Sequence, residues 1–99
     1  MVSQLRTYTI NRGMMDQWVS LFNQTLMPIY TKVGIVVEGA WVNEDKNQFI
    51  WIRSFEDAAD LEAKEAAFYG SDEWKANVDH IRSHLARVEV QVINNVLDA

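Results

Sequence analysis

The sequence predicts an α+β fold in which a four-stranded antiparallel sheet carries its helices on one face, in the order βαββαβ. Three observations lead to this prediction. Segments with the two-residue alternation of strands and segments with the three- to four-residue spacing of helices follow one another in that order. The chain has 99 residues, so we expect a single domain spanning 1–99. The second and third predicted strands are apolar on both faces, as in a sheet covered on both sides.

The first strand and the first helix occupy the N-terminal third of the chain. Residues 3–10 (SQLRTYTI) are rich in β-branched and aromatic side chains, which predicts a strand, and turn-forming residues follow at 11–13. From 14 to 32 apolar residues recur at helical spacing. Because proline lacks a backbone N–H, we expect this helix to bend or break at Pro28. Gly34 is placed to end it.

A hairpin and a second helix come next. Residues 35–43 and 48–55 predict two strands joined by a loop at 44–47. An alanine-rich stretch from 57 to 69 then predicts a helix, which Gly70 ends. Its acidic side chains are predicted to form a solvated helix face: Asp57, Asp60, Glu62 and Glu65.

The last helix and strand complete the pattern. Ser71 followed by two acids is an N-cap signal. A helical stripe follows, formed by Trp74, Val78, Ile81 and Leu85. Residues 87–97 alternate valines with polar residues, which predicts an edge strand with one polar face. This order is the ferredoxin-like arrangement. Its helices cover one face, so a second copy of the chain is the simplest cover for the other, and we expect a homodimer through the sheet.

Composition excludes several classes of function. The formal net charge is −5 and the pI is near 4.8, without a run of Lys or Arg, so a nucleic-acid partner is not expected. Absence of cysteine excludes disulfides, thiolate metal sites and cysteine nucleophiles. The N-terminus lacks the pattern of a signal peptide, and the apolar runs are too short to span a bilayer. We therefore expect a cytoplasmic protein that makes no membrane contact.

The leading candidates for a binding site lie on the first and third strands. Alternation places Arg6 with Tyr8 on one face and Trp51 with Arg53 on one face of its own strand. If the two faces coincide, two guanidinium groups and a phenol share an interior. A buried guanidinium needs a carboxylate or an anionic ligand. Two carboxylates are candidates for an internal pairing, Glu38 and Glu89.

Tryptophans and histidines supply the remaining candidates. Trp18 and Trp74 lie on the apolar faces of their helices, where each either packs in the core or lines a pocket. Trp41 is a candidate anchor of the dimer interface. His80 and His84 have metal-ligand spacing, but Ile81 stands where the HExxH motif has glutamate, so no metal is expected. The sequence favours a solvated surface for both, with His84 also a candidate for a cavity edge.

Four segments in order resemble the NIPSNAP family over about residues 4–93. They are LRTYTINRG at 5–13, Gly39-Ala40-Trp41, FIWIRSF at 49–55 and SDEW at 71–74. The resemblance implies a dimeric α+β barrel. Two positions depart from many relatives: Leu61 follows Asp60 where they carry Arg, and Gln4 precedes the first segment where they often carry Glu.

The same superfamily includes cofactor-free monooxygenases and haem-degrading monooxygenases. The functional His, Trp and Asn of the haem degraders fall on Val78, Phe68 and Thr7, so no haem or other cofactor is expected. Three hypotheses stay open. The first is a homodimer that binds a small aromatic or acidic molecule between sheet and helices. The second is a cofactor-independent monooxygenase or isomerase on an aromatic or polyketide-like substrate. The third is a protein-interaction module.

Overall fold

A computed structural model describes residues 1–97, so the last two residues of the predicted domain, 98 and 99, lie outside it. The strands are β1 (Val2–Ile10), β2 (Val36–Val42), β3 (Gln48–Phe55) and β4 (Leu85–Asn94). The helical segments are α1 (Met15–Leu21), a π-helical segment (Phe22–Leu26), α2 (Met27–Val33), α3 (Ala58–Tyr69) and α4 (Asp72–Arg82). None of these helices is long and apolar enough to cross a membrane.

The four strands form one antiparallel sheet in the order β2-β3-β1-β4. This confirms the predicted βαββαβ arrangement with helices on one face. Gln4 lies opposite Arg53, and Arg6 lies opposite Trp51. Because paired residues of antiparallel strands point to the same side, Tyr8 and these four residues share the face that the helices cover.

The first predicted helix bends through a π-helical segment and does not break. The π-helical segment ends at Leu26, two residues before Pro28, which occupies the first turn of α2. Proline removes a backbone donor and its ring crowds the carbonyl four residues earlier, so a wider turn at this point relieves the conflict. The helix ends at Gly34 as predicted, in the left-handed conformation (φ 84°), and the Ile35 N–H donates to the Tyr30 carbonyl at 2.9 Å.

The N-cap predicted at Ser71 is present and Asp57 caps the start of α3, whereas the start of β4 differs from the prediction. Asp57 accepts a hydrogen bond from the Asp60 N–H at 2.8 Å, and Ser71 Oγ accepts from the Trp74 N–H at 3.2 Å. Leu85 is the first residue of β4 and does not extend the helical stripe, because α4 ends at Arg82. The strand therefore covers Leu85–Asn94 and not 87–97.

The core lies between the helices and the covered face of the sheet. It is unusually aromatic, and its fully buried indoles are Trp18 and Trp51. The opposite face of the sheet has no helix over it within residues 1–97. On this open face Leu5 pairs with Ile52 and Trp41 pairs with Ile50. Trp41 is 54% exposed.

The edge strand β4 is exposed on both sides. Its valines point to the side that carries the helices, since Val90 lies opposite Arg6, yet the helices do not extend over them. Glu89 and Gln91 lie on the open face and are exposed too. The predicted polar face is therefore present, but the valine face is only partly covered.

Candidate functional site

A partly enclosed cavity of about 410 Å³ lies between the helices and the β1–β4 side of the sheet. This volume falls in the range of small-molecule sites, ~300–1,000 Å³. Strand β1 supplies the wall nearest the core, the helices supply the opposite wall, and the start of β4 forms the rim. The lining residues are Arg6, Tyr8, Trp18, Leu26, Tyr30, Phe68, Tyr69, Trp74, Ile81, Arg82, Leu85, Ala86, Arg87 and Val88.

The helical wall of the cavity is a chain of aromatic rings. Tyr30 stacks on Phe68 with ring centroids 4.7 Å apart and an interplanar angle of 23°. Trp74 follows, 5.0 Å from Phe68 and 5.3 Å from Tyr69. Rings fixed by one another in this way offer a preorganised apolar surface. The wall suits a flat, apolar molecule.

Arg6 is the charged group inside the cavity. It is 8% exposed, and its guanidinium donates from Nε to Tyr8 Oη at 2.9 Å and from Nη1 to Gln4 Oε1 at 2.9 Å. Both acceptors are neutral, and no carboxylate of residues 1–97 lies within ion-pair distance of it. Within the same range, no acceptor is found for the proton of Tyr8. Arg6 and Tyr8 both line the cavity, and each retains an N–H or O–H donor for which no acceptor is found among residues 1–97.

Arg53 lies behind the cavity and has the carboxylate that Arg6 lacks. It is 1% exposed, and its Nε donates to Gln4 Oε1 at 2.7 Å. Glu65 Oε1 lies 3.6 Å from Arg53 Nη2, in ion-pair range but too far for a hydrogen bond, so this Nη2 has no hydrogen-bond partner among residues 1–97. Glu65 also accepts from Gln4 Nε2 at 2.8 Å.

Two expectations about the acids are corrected by this network. The predicted partners of the arginines, Glu38 and Glu89, are both exposed, and Glu89 pairs instead with Arg87 at 3.4 Å. Glu65 is not part of a solvated face, because α3 packs with this side chain turned toward the sheet. Arg53 is therefore paired from a helix and not from a strand, and neither of the predicted carboxylates pairs with Arg6.

The cavity is positively charged although the chain carries a net charge of −5. In the part of the chain that the structure describes, its lining contains three arginines and no Asp or Glu. Burial lowers the pKa of Arg6, but interactions with Tyr8, Tyr69 and Tyr30 raise it, and the net pKa lies above its ordinary value, so Arg6 stays charged. Burial raises the pKa of Tyr30 far above its ordinary value, which keeps that phenol neutral.

The structure brings together four of the seven predicted site residues. Arg6, Tyr8, Trp18 and Trp74 line the cavity. The indole N–H of Trp18 has no hydrogen-bond partner within residues 1–97. The other predicted residues are placed elsewhere: Trp51 and Arg53 lie beneath the cavity in the core, and His84 is in the turn after α4.

His84 departs most from its predicted place. It is 2% exposed, not solvated, and its Nδ1 lies 2.9 Å from the His80 carbonyl oxygen. Since a carbonyl only accepts, Nδ1 carries the proton and is not free to bind a metal. Residues 1–97 contain no cluster of three or more His, Asp or Glu side chains that could hold a metal ion.

Several cavity residues were not predicted from the sequence. Tyr30 follows the π-helical segment, which the apolar spacing did not reveal, and Tyr69 ends α3. Arg82 stacks over Trp74, with its Cζ 5.9 Å from the ring centroid. Gln4, which lies beneath the cavity and does not line it, was noted only as a departure from relatives. Its alternation with Arg6 and Tyr8 on β1 was the signal that could have identified it.

Comparison with known proteins gives a family and a fold. The family model described as NIPSNAP matches residues 3–97. An uncharacterized NIPSNAP domain protein from Burkholderia xenovorans superposes with a TM-score of 0.90 at 18% identity, over 97% of this chain and 95% of the other. A NIPSNAP family protein from Agrobacterium tumefaciens gives 0.87 at 16% identity, over 94% and 90%.

The fold likeness extends beyond these proteins. An antibiotic biosynthesis monooxygenase superposes with a TM-score of 0.71 at 15% identity, over 98% of this chain and all of the other. Among curated proteins, none matches the sequence.

Proposed function

Since the chain belongs to the NIPSNAP family, we propose that it acts as a cytoplasmic homodimer that binds a small molecule with an aromatic body and an acidic group. The ligand lies between the sheet and the helices, in the cavity lined by Arg6 and the aromatic wall. One observation carries the proposal: Arg6 is buried at this cavity without a carboxylate partner among residues 1–97.

Burial of an unpaired guanidinium supports the acidic group. An isolated buried charge is costly, and the hydrogen bonds from Arg6 to Gln4 and Tyr8 reach only neutral oxygens. A carboxylate at this point would accept from the guanidinium and from the Tyr8 O–H. Charge-assisted hydrogen bonds of this kind are about twice as strong as neutral ones.

The open face of the sheet supports the dimer. Trp41 is 54% exposed there, beside the half-buried Leu5, Ile50 and Ile52. Apolar side chains on an uncovered sheet face are typical of an interface, and indoles are common anchors of such surfaces. A twofold pairing of two such faces would bury both copies of Trp41.

Native mass spectrometry of protein purified from its host, followed by calorimetric titration with 2-naphthoate, tests the proposal. We expect a dimer that releases a small organic acid, and about tenfold or greater loss of 2-naphthoate affinity in Arg6→Met. Arg12→Met is the matched control, because Arg12 is exposed in the turn after β1. Unchanged affinity in Arg6→Met, or equal loss in both variants, would reject the site. A monomer at all concentrations would reject the dimer.

A second candidate is a cofactor-independent monooxygenase or isomerase on an aromatic or polyketide-like substrate. The hydrogen bond from Arg6 Nε to Tyr8 Oη favours it, because it fixes a phenol group at the cavity, within reach of a bound substrate, where a positioned Tyr can take part in proton transfer. Tyr8→Phe would then abolish turnover and keep binding. His84, outside the lining, is the other residue predicted for this role, and His84→Ala would change turnover only if the turn after α4 reaches the substrate. If the unmodified protein binds the molecule without turning it over, the enzymatic candidate is rejected and the binding proposal stands. The third hypothesis, a protein-interaction module, would be favoured by a core without a cavity, whereas a cavity of about 410 Å³ lies between the helices and the sheet.

A further inference from the structure

Gln4 holds an unusual place in the polar network beneath the cavity. Its Oε1 accepts from both Arg6 Nη1, at 2.9 Å, and Arg53 Nε, at 2.7 Å, and the side chain is 6% exposed. Its Nε2 donates to Glu65 at 2.8 Å, which fixes the orientation of the amide. A neutral oxygen therefore stands where two buried guanidinium groups converge.

We infer that Gln4 sets the charge selectivity of the cavity: it leaves one buried positive charge without a counter-charge, so the site selects a ligand with one ionised acidic group at its inner end. This inference rests on the proposed function and adds the charge of the ligand to it. Gln4 is 6% exposed, and the inference assigns it a positioning role through Arg6 and not direct contact with the ligand.

The count of buried charges carries the inference. Counted over residues 1–97, the network contains two cations, Arg6 and Arg53, and a single carboxylate, Glu65. Glu65 lies beside Arg53, 3.6 Å from its Nη2, and is not paired with Arg6. The unmatched charge is thus on Arg6, the one guanidinium of the network that lines the cavity. Arg82 and Arg87 at the rim are exposed and hence screened by water.

Isosteric exchanges between Gln and Glu vary the charge of the network without changing its shape. Glu65→Gln raises the charge by one, Gln4→Glu lowers it by one, and the double variant restores it. Gln4→Glu alone also brings two carboxylates together, because the Nε2 that the substitution replaces with an oxygen lies 2.8 Å from Glu65 Oε1. The double variant removes this repulsion and keeps a donor facing an acceptor.

Calorimetric titration with 2-naphthoate and with the neutral 2-naphthamide measures the selectivity. We expect the unmodified protein to prefer the acid by about tenfold or more, which corresponds to about 1.4 kcal/mol. The preference should disappear in Gln4→Glu and increase in Glu65→Gln. Gln17→Glu, with the same change of charge on an exposed helix position, should keep it. An unchanged preference in Gln4→Glu would overturn the inference.

Urea unfolding without any probe gives an independent measurement. In the Glu65→Gln background, Gln4→Glu adds a carboxylate between two guanidinium groups, so the unfolding midpoint should rise. A lower midpoint would overturn the inference, since it would show that a carboxylate at residue 4 is not stabilised by the two guanidinium groups that converge there. If 2-naphthoate does not bind the unmodified protein at all, the proposed function fails, while this comparison still tests whether residue 4 is the place where a counter-charge would act on Arg6 and Arg53.

Discussion

Replacing Trp41 with alanine should dissociate the proposed homodimer and leave the protomer folded. The indole lies across Gly39 on the open sheet face, where a Cβ on that glycine would come within 2.5 Å of Trp41 Cη2. Tryptophan buries ~150–250 Å². With 54% of the side chain exposed in the protomer, about 80–135 Å² remains for an interface. At ~25 cal/mol per Å² this is ~2–3 kcal/mol for each indole, and ~4–7 kcal/mol for the symmetric pair.

Sedimentation equilibrium over a range of protein concentrations is the assay. The expected loss corresponds to a dimer Kd about 10³- to 10⁵-fold higher. Val92→Ala is the control, because Val92 is 61% exposed on the opposite side of the sheet and should leave the Kd unchanged. A Trp41→Ala protein whose dimer Kd changes less than tenfold would refute the argument that this face forms the interface.

Three further predictions concern single positions. Gly39→Ala should push the Trp41 indole off the sheet and weaken the dimer less than Trp41→Ala does, with a shift in tryptophan emission; an unchanged spectrum would contradict the contact. Trp18→Ala should lower the free energy of unfolding by about 3–5 kcal/mol, since the side chain is fully buried. Urea unfolding measures this loss, and a clearly smaller loss would contradict the prediction. The pKa of Asp60 is lowered by the Glu56 N–H and by Lys64. Its contribution to stability is therefore present above the ordinary Asp pKa of about 3.9 and is lost as the pH falls through the folded pKa, so Asp60→Asn should flatten acid unfolding below about pH 4.

Period-two patterns explain why much of the sheet could be predicted. Alternation fixed which residues of β1 and β3 share a face, and adjacency of the two strands then brought Arg6, Tyr8 and Arg53 to the same side. Whether these residues bind a ligand stays a prediction. The directions in which the helical side chains point were harder to predict. Apolar spacing shows which side chains of α3 lie together, but not how the helix is rotated on the sheet, so the turn of Glu65 toward Arg53 could not be read from the sequence.

Other features were missed for different physical reasons. Gln4 carries no charge, so its burial does not create the conspicuous electrostatic problem that marks a buried arginine. The π-helical segment changes the helical spacing just before Tyr30, and periodicity reasoning assumes regular turns. His84 was placed on a helix that ends at Arg82, and helix ends are the least certain part of any pattern.

The pairing of Gln4 with Arg53 across β1 and β3 also bears on how the chain avoids misfolding. A slip of one residue between these strands would turn Gln4, Arg6 and Tyr8 to the open face and bring Leu5 beneath the helices. The misaligned strand would lose the hydrogen bond that Arg53 Nε donates to Gln4 and leave that guanidinium buried without it, a cost that apolar side chains alone would not impose. Side chains that charge the cavity thereby discriminate against wrong strand alignments. A variant with this network replaced by apolar residues should consequently fold to less uniform sheets, even where its total stability rises.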